Sequence, residues 1–556
     1  MPLLARSSSL VVVGFLACAS PAPRPPRPLT FCTARDSDAW VAASIHLQRT
    51  YPRVLAVSTS AAPRAVRIRP LDVAARAPSP IEVELPVTQT FTTLQAAADA
   101  ARGGDLVAVL PGRHAGFFLD EKPDAGDGRY IHFKALGAPG EVTLDRVART
   151  DADRWLILIR AAHHVVIEGF DLAGAGLAPG GPVAGIMLDG DFGRSGKLTH
   201  HIVVAGNYSH HHRNWGLHAT DSHTVLVQDN VFAASAREHA AYVSDGSDDY
   251  VIRRNVFAGS NASGLQCNLD PKSSLAELLK HRAFAGIAPG ESHAFAEGVI
   301  ARADALFGKN GYPDGRGVNF IIEENVIQGN GRAGGGALNL AGLSESLIQN
   351  NLLYGNLAHG IAQWNDANPY DREREDPGPR TALGPASLPS WGCQGNVIRN
   401  NTVVMANPAR AALQAVHGSY GSVVYNNVLI NDEPSSVEVS STGVYHFAFG
   451  PNVINAVAFT GGAEALTSLM RMPIDPARVS SGITRARFAA EVARYGEEPW
   501  VILGEHWWRP NPDRPDFHPR AGSTLLAGKA DPNELPAHDL EGAPRRTADI
   551  GALSAR

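Results

Sequence analysis

The sequence predicts an all-β fold, a right-handed parallel β-helix, from three observations: the length of the chain, a repeated asparagine motif and a helix placed where the first coil must be closed. The chain has 556 residues, more than the roughly 250–300 at which a single globular core stops growing. A solenoid accommodates this length because its core grows in one dimension. Glycine is frequent, with 55 residues, and aromatic residues make up only 7% of the chain, as suits a repeat fold with many tight turns.

The repeat is an asparagine that follows one short β-branched run and precedes another. Most neighbouring copies are 23 to 26 residues apart. A single coil of this length cannot bury its inner face, so the coils must stack and share one core. Asparagine suits a tight bend, and its recurrence at one alignment position predicts a ladder of stacked amides. The seven copies are Asn207, Asn230, Asn255, Asn325, Asn351, Asn401 and Asn427.

The two ends of the repeat region support the same fold. Residues 91–112 combine an amphipathic helix, a glycine stop and a strand, and such a helix would cover the open edge of the first coil. The chain closes with Asp-Ile-Gly-Ala-Leu at 549–553. Both segments resemble those of pectate-lyase-like β-helix repeat proteins that bacteria export. The resemblance covers about residues 88 to 553; it implies the right-handed parallel β-helix and is much less specific for activity.

The N-terminus predicts export. Arg6 precedes an apolar run, residues 10–17, that is too short to span a bilayer. Residues 15–18 resemble a lipoprotein cleavage box, so Cys18 could be lipidated and attach the protein to a membrane. The alternative is an ordinary signal peptide cut near Ala19 or Ala22. The expected location is therefore extracellular or in the cell envelope.

We expect one solenoid with insertions rather than several globular domains. Residues 452–510 lose the asparagine pattern and gain helical character. The net charge of −6 gives no broad basic face, so no nucleic acid is expected as a partner, and we expect a monomer. The divisions are a signal peptide at 1–20, a linker and N-terminal extension at 21–87, the β-helix at 88–451 with insertions at about 272–316 and 367–392, and a C-terminal excursion and closing segment at 452–556.

A second alignment predicts a polar column on one outer face of the solenoid. Strand side chains alternate, so apolar residues such as Leu217, Leu265 and Leu338 should point inward and their neighbours outward. A polysaccharide is the partner that such amides, hydroxyls and a tryptophan suit, and the two insertions should wall the groove. The alternatives are a polar face without a ligand and loops without a role. The outward pairs are Met187 and Asp189, His218 and Thr220, Tyr242 and Ser244, Gln266 and Asn268, Asn339 and Ala341, Ala362 and Trp364, and Gln414 and Val416.

Polar residues of three consecutive coils cluster beside this column. The resemblance implies β-elimination of a uronic-acid polymer, which needs a base, an acid and a group that neutralises the sugar carboxylate. His218 or His239 could be the base and Tyr242 the acid, while Arg213 or Asn268 could neutralise the carboxylate. A calcium ion could do the same if Asp245, Asp248 and Asp249 bound it. The residues expected to bind substrate are Asp189, Gln266, Asn268, Asn339, Trp364 and Gln414.

Three other interpretations stay open. A glycoside hydrolase could use a carboxylate pair, either Glu238 with Asp245 or Asp189 with Asp221. The run His-His-His-Arg at 210–213 could bind a transition metal, although neighbouring histidines should point in different directions. The chain could also be a non-catalytic protein that binds glycans or supports the cell envelope, because a fold does not determine a function.

Overall fold

The chain forms a right-handed parallel β-helix in a computed structural model. The structure describes residues 37–60, 62–76, 79–122, 128–148, 154–308, 311–365, 368–370, 391–416, 419, 421–431, 437–440, 448–450, 452–454, 457–460, 485–496 and 515–555. The expected signal peptide, with Cys18, and most of the insertion at 367–392 lie outside these residues. Among the described residues, no helix is long and apolar enough to cross a membrane.

Each coil contributes one strand to each of three long parallel sheets. Sheet 1 contains Phe117–Asp120, Trp155–Arg160, Ala184–Asp189, Trp215–Thr220, Ala241–Ser244, Leu265–Asn268, Gly336–Ala341, His359–Trp364, Leu413–Ala415, Val437–Ser440 and Val457–Thr460. Sheet 2 contains Val54–Val57, Gln89–Phe91, Leu106–Val109, Ile131–Ala135, His163–Glu168, Thr199–Ala205, Ser222–Gln228, Asp248–Arg253, Phe320–Glu323, Leu347–Gln349, Val397–Arg399, Val423–Tyr425 and Ala448–Phe449. Sheet 3 contains Gly112–Ala115, Val142–Arg146, Asp171–Ala173, Tyr208–His210, Val231–Ala233, Val256–Ala258, Val326–Gln328, Leu352–Tyr354, Thr402–Val404, Val428–Ile430 and Val453–Ile454.

Shorter elements lie outside the three sheets. Three strand pairs are separate from them: Ala65–Ile68 with Val83–Pro86, Gly317–Val318 with Leu343–Ser344, and Val492–Arg494 with Asp516–Pro519. The described α-helices are Ser37–Ser44, Leu94–Ala100, Phe192–Ser195, Pro271–Lys280, His293–Phe307 and Arg485–Glu491, and the 3₁₀ helices are Arg282–Phe284 and Pro532–Glu534.

The core is the inside of the solenoid, and its lining confirms the expected alternation in sheet 1. Leu217, Leu265 and Leu338 are at most 1% exposed and join one continuous apolar cluster with residues of the other two sheets. Several coils have a glycine at or near the start of the sheet 1 strand, where the next coil approaches closely. At Gly360, for example, a Cβ atom would lie 2.4 Å from the carbonyl oxygen of Ala412 in the next coil.

The asparagine ladder is confirmed along the whole repeat. The Nδ2 atom of Asn325 donates to the carbonyl oxygen of Ile252 at 2.8 Å and to Oδ1 of Asn351 at 2.9 Å. Its own Oδ1 accepts from the backbone N–H and the Nδ2 of Asn255. The residue before each ladder asparagine has a positive φ, for example 57° at Glu324. This left-handed residue makes the bend, and the asparagine amide then satisfies the backbone groups that the bend leaves unpaired.

The ladder extends beyond its expected end. Asn452 lies in the segment where the sequence analysis found the pattern lost, yet its Oδ1 accepts from Nδ2 of Asn427 at 3.0 Å. The strand that follows it, Val453–Ile454, has only two residues. A second ladder runs through another bend, where Nδ2 of Asn330 donates to Oδ1 of Asn356 at 3.2 Å.

The N-terminal extension is built into the solenoid. Its strand Val54–Val57 pairs in parallel with Leu106–Val109 in sheet 2, so this sheet starts before residue 88. The helix Ser37–Ser44 packs on the outer face of sheet 2. There Arg253, which is 1% exposed, donates to Asp38 Oδ1 at 2.7 Å and to the carbonyl oxygen of Val73 at 2.6 Å. The extension therefore covers an apolar sheet face that would otherwise meet water.

The expected helices of the cap and the first insertion are present. Leu94–Ala100 is capped by Thr93, whose side chain accepts from the backbone N–H of Ala96, and it buries Leu94 and neighbouring alanines in the core of the first coils. The insertion after sheet 1 residue Asn268 forms Pro271–Lys280 and His293–Phe307.

We predict that Asn325→Ala lowers the free energy of unfolding by about 3 kcal/mol or more, because it removes four hydrogen bonds and leaves buried backbone groups unpaired. The measurement is urea denaturation followed by circular dichroism. The control is Arg332→Ala, an exposed position in the following turn. Equal midpoints for the two variants would contradict a stabilising role of the ladder.

Candidate functional site

The outward column of sheet 1 has the expected register. His218 pairs with Met187 on one side and with Tyr242 on the other, and Tyr242 pairs with Gln266. The column continues through Asn339 to positions 362 and 414. Asp189, Ser244, Asn268 and Trp364 form the parallel column two residues further along the strands. The pairing confirms the geometry on which the site hypothesis depends, and the roles of the residues stay predictions.

Five rings gather at the middle of sheet 1, and we call them the aromatic cluster: Trp155, Trp215, His218, Tyr242 and His239. The rings of His218 and Tyr242 stack with centroids 4.8 Å apart and an interplanar angle of 2°. Trp215 lies 4.6 Å from His218, and His239 lies 5.3 Å from Tyr242. The cluster is a partly exposed aromatic surface next to the outward apolar residues Phe118, Leu158 and Met187, and ligand sites use surfaces of this kind.

The two tryptophans of the aromatic cluster were not predicted. Trp155 and Trp215 are two coils apart, with Ala184 between them in register. Because this alanine is small, the indole rings lean together and stack at 5.9 Å. Both tryptophans begin a sheet 1 strand, and this position could have indicated that they lie near each other. Simple alternation along the strand instead assigns Trp215 to the inward side.

His218 is bonded to a short chain of polar groups. Its Nε2 lies 3.3 Å from Ser244 Oγ, and Ser244 Oγ donates to Asp245 Oδ2 at 3.2 Å. With Ser244 donating to Asp245, the histidine carries its proton on Nε2, and the lone pair is on Nδ1. Nδ1 is buried without a partner among the described residues. Burial, followed by the charge of His239, lowers the pKa of His218 to about 3, so this ring is neutral at neutral pH.

His239 has the opposite arrangement. Its Nδ1 accepts the backbone N–H of Ser263 at 3.1 Å, so the neutral ring carries its proton on Nε2, which lies 3.7 Å from Glu238. Burial lowers the pKa of His239 to about 4. His239 is thus placed to donate a hydrogen bond rather than to accept a proton. Arg213 lies in the turn before the Trp215 strand, and its carbonyl oxygen accepts the backbone N–H of Arg237, so the two arginines occupy equivalent turns of adjacent coils.

The amides expected to bind sugar are bonded to one another. Gln266 Oε1 accepts from Ser263 Oγ at 3.2 Å and from Asn339 Nδ2 at 2.6 Å. Asn339 Oδ1 in turn accepts the indole N–H of Trp364 at 2.9 Å. Gln266 and Asn339 are buried, and Trp364 is half-buried. These hydrogen bonds link side chains of three successive coils. The Trp364 ring and half-buried Gln414, in a later coil, are groups that a ligand could reach there.

Carboxylates lie at the C-terminal ends of the sheet 1 strands. Arg160 donates to Asp189 at 2.7 Å, so Asp189 is paired with a cation. Asp221 accepts the backbone N–H of Gly246, and burial and the nearby Asp245 raise its pKa. Burial, followed by the charge of Asp270, raises the pKa of Asp245 to about 7. A carboxyl group of this pKa can act as a proton donor near neutrality.

The expected calcium ligands do not converge. Asp248 accepts the backbone N–H of Val318 at 2.8 Å, and Asp249 accepts from Asn319. Both lie at the start of a sheet 2 strand, whereas Asp245 belongs to the bend before it. Among the described residues, the groups of three or more potential metal ligands within 4.8 Å of one another do not include these carboxylates. A calcium ion held by this trio therefore does not fit the arrangement.

The histidine run at 210–213 does not assemble a three-histidine site either. His212 is fully buried, and its Nε2 bonds Ser209 Oγ at 2.9 Å. His210 and His211 do meet, with their Nδ1 atoms 2.7 Å apart. The expectation that adjacent histidines diverge was wrong, because His211 has a φ of 54°, and this left-handed residue breaks the alternation of the strand.

The first insertion borders sheet 1 at its carboxylate end. Its two helices share an apolar cluster with the helix Phe192–Ser195 and with Trp391, near the end of the second insertion. Glu277 accepts the backbone N–H of Gly193. A cavity of about 310 Å³ lies elsewhere, between residues 69–79 and the outer face of sheet 2, and it shares no residue with the aromatic cluster.

We predict that Asp245→Asn raises the melting temperature at pH 8 but not at pH 4. The folded-state pKa of Asp245, about 7, exceeds its ordinary value of 3.8, so the folded state is penalised as pH rises between these values and fully so above them. The amide removes the ionisation. The control, Glu238→Gln, changes a carboxylate that is 45% exposed. A stabilisation independent of pH would contradict the raised pKa.

Comparisons with known proteins found only distant similarities. No family model matches the chain, and no curated protein is significantly similar to it. Among solved structures, the pectate lyase Pel9A is 11% identical with a TM-score of 0.44, covering 93% of this chain and 98% of its own. The Dettilon tailspike protein is 13% identical with a TM-score of 0.31, covering 67% and 64%. An alginate lyase from Paenibacillus sp. str. FPU-7 is 14% identical with a TM-score of 0.27, covering 66% and 95%.

Proposed function

We propose that sheet 1 binds a polysaccharide across the aromatic cluster and cleaves it by β-elimination next to a uronic acid. The observation that carries the proposal is the stacked pair of His218 and Tyr242, flanked by two indoles on the outward face. Aromatic rings provide a surface for the sugar rings, and the pair brings a neutral imidazole beside a phenol. These are a base and an acid in contact with the same ligand surface.

The hydrogen bonds favour His218 over His239 as the base. Of the two, His218 keeps a lone pair, on Nδ1, without a partner among the described residues, while its Nε2 bonds Ser244 Oγ, which in turn donates to Asp245. Nδ1 is shielded in the free protein, so one of the neighbouring rings must shift when the polymer binds. A uronate carboxylate beside the ring would raise the low pKa of His218 and make it a stronger base.

The remaining groups supply the other requirements of the reaction. Tyr242 would protonate the leaving oxygen, and the N–H of His239 would orient the phenol or the sugar. Arg213, with Arg237 beside it, provides positive charge for the sugar carboxylate, which makes the C5 proton acidic. Asn268 and Trp364 extend the contact surface along the outer face of sheet 1.

The test is absorbance at about 235 nm, where unsaturated uronic ends absorb, with alginate, pectate and glycosaminoglycans as substrates. We expect a rise with the intact protein and at least a 100-fold slower rate, about the lower limit for general acid–base catalysis, in His218→Ala and Tyr242→Phe. Arg67→Ala, on the exposed hairpin of the extension, is the control and should retain full activity. Absence of absorbance on every polymer would overturn the elimination reaction for these substrates.

The pH dependence of kcat/KM distinguishes His218 and His239 from histidines with an ordinary pKa. Because the pKa values of His218 and His239 are about 3 and 4, the base is deprotonated well below neutrality. We expect kcat/KM to keep its value down to about pH 5 before it falls. An acid limb centred at about pH 6.5 would instead indicate an ordinary histidine as the base.

A hydrolase is the second candidate, because the pKa of Asp245, at about 7, suits the proton donor of a glycosidase. Glu238 would be the second carboxylate. New reducing ends without absorbance at about 235 nm would favour this reaction, and binding without products would indicate a glycan-binding protein. Calcium dependence stays a prediction, and assays with calcium and with EDTA test it.

We also propose that the protein acts outside the cytoplasm. The N-terminal segment carries this proposal, since it combines Arg6 with a short apolar run. Mass spectrometry of the mature N-terminus distinguishes a lipidated Cys18, which would attach the protein to a membrane, from cleavage near Ala19 or Ala22.

A further inference from the structure

A second histidine cluster lies at the start of the sheet 2 strands, away from the aromatic cluster. His163 pairs in register with His200, and His200 with His223. Their rings stack, with centroids 4.6 Å apart between the first two and 4.9 Å apart between the last two. His164 and His201 form a second stack beside them, with centroids 4.5 Å apart. Five imidazoles from three successive coils therefore share one patch.

Backbone conformation makes the neighbours converge. In a regular strand, consecutive side chains point to opposite faces. His164 and His201 have φ values of 56° and 54°, and this left-handed conformation returns each ring to the side of the preceding histidine. The Nδ1 atoms are 2.8 Å apart in the pair His163–His164 and 2.7 Å apart in the pair His200–His201.

We propose that His163, His164 and His200 form a binding site for a divalent transition metal such as Zn²⁺ or Ni²⁺. One nitrogen from each of the three lies within 4.8 Å of the other two. Two ligands held about 2.0–2.1 Å from one ion lie roughly 2.9–3.4 Å apart, so small side-chain movements bring the three onto a common ion. Water or His201 would complete a four-coordinate shell.

The donor set selects the class of metal. All three ligands are imidazole nitrogens, which suit zinc, copper, iron and nickel, whereas calcium and magnesium require oxygen ligands. Half-burial of the three residues limits competition from bulk water without closing the site.

The chain contains its own matched control. His210 and His211 reproduce the local geometry, with a φ of 54° at His211 and Nδ1 atoms 2.7 Å apart. However, His210 Nε2 bonds Asp171 at 2.9 Å, and the next histidine, His212, is buried against Ser209. A pair without a third convergent nitrogen should bind a metal weakly.

The experiment measures zinc and nickel binding to the untagged full-length protein by equilibrium dialysis with elemental analysis. We expect about one ion per chain and a higher melting temperature with metal than with EDTA. His200→Ala should raise the Kd more than about 10-fold, since even outer-shell groups have effects of this size. His211→Ala should leave the Kd unchanged.

A conservative variant separates ligand loss from misfolding. His200→Gln keeps a polar side chain of similar length, and it should melt near the wild-type temperature in EDTA while gaining nothing from zinc. The proposal is overturned if His200→Ala and His163→Ala bind zinc as tightly as the wild type, or if His211→Ala weakens binding equally. The site lies on sheet 2, so this result is independent of any activity on sheet 1.

Discussion

The structure depends on the amide ladder that joins each coil to the next. From Asn230 to Asn452, the Oδ1 of each ladder asparagine accepts both a backbone N–H and a side-chain N–H from the preceding ladder residue. A shift of one residue between parallel strands would turn every inward side chain outward. By pairing one particular residue in each coil with its counterpart, the ladder holds the register on which both the core and the outer columns depend.

Register by itself does not make a site, and sheet 1 shows the difference. The outer side of sheet 1 contains groups that satisfy one another, in Gln266, Asn339 and Trp364, and groups that do not, in His218 and Trp215. A buried polar atom without a partner costs free energy, so the part of the sheet with unsatisfied atoms is the part where a ligand would contribute most. The unsatisfied atoms of His218 and Trp215 lie in the coils that contain the aromatic cluster.

Non-glycine residues in the left-handed conformation have two roles in the solenoid. At the bends before the ladder they turn the chain, as at Glu324, and at the start of sheet 2 they return a side chain to the face of its neighbour, as at His164 and His201. Non-glycine residues adopt this conformation only when the surroundings hold them in it. The stacked coils provide that support, and the result is a set of paired imidazoles that a regular strand would separate.

The sequence by itself determined what repeats. The period, the ladder positions and the inward or outward direction of Leu217, His218 and Tyr242 follow from local alternation, and each coil repeats the same physics. It did not determine contacts that depend on an individual coil. The stacking of Trp155 on Trp215 requires a small Ala184 between them, and the separation of Asp245 from Asp248 depends on where one bend ends.

Only the tertiary structure decided which polar groups satisfy one another and which histidines converge. These outcomes depend on side-chain partners from coils more than 20 residues apart and on single φ values, neither of which leaves a periodic trace in the sequence. The extension shows the same limit. Residues 37–76 have no repeat, yet Trp40 and Val41 pack on sheet 2, because the apolar outer face of that sheet needs a cover.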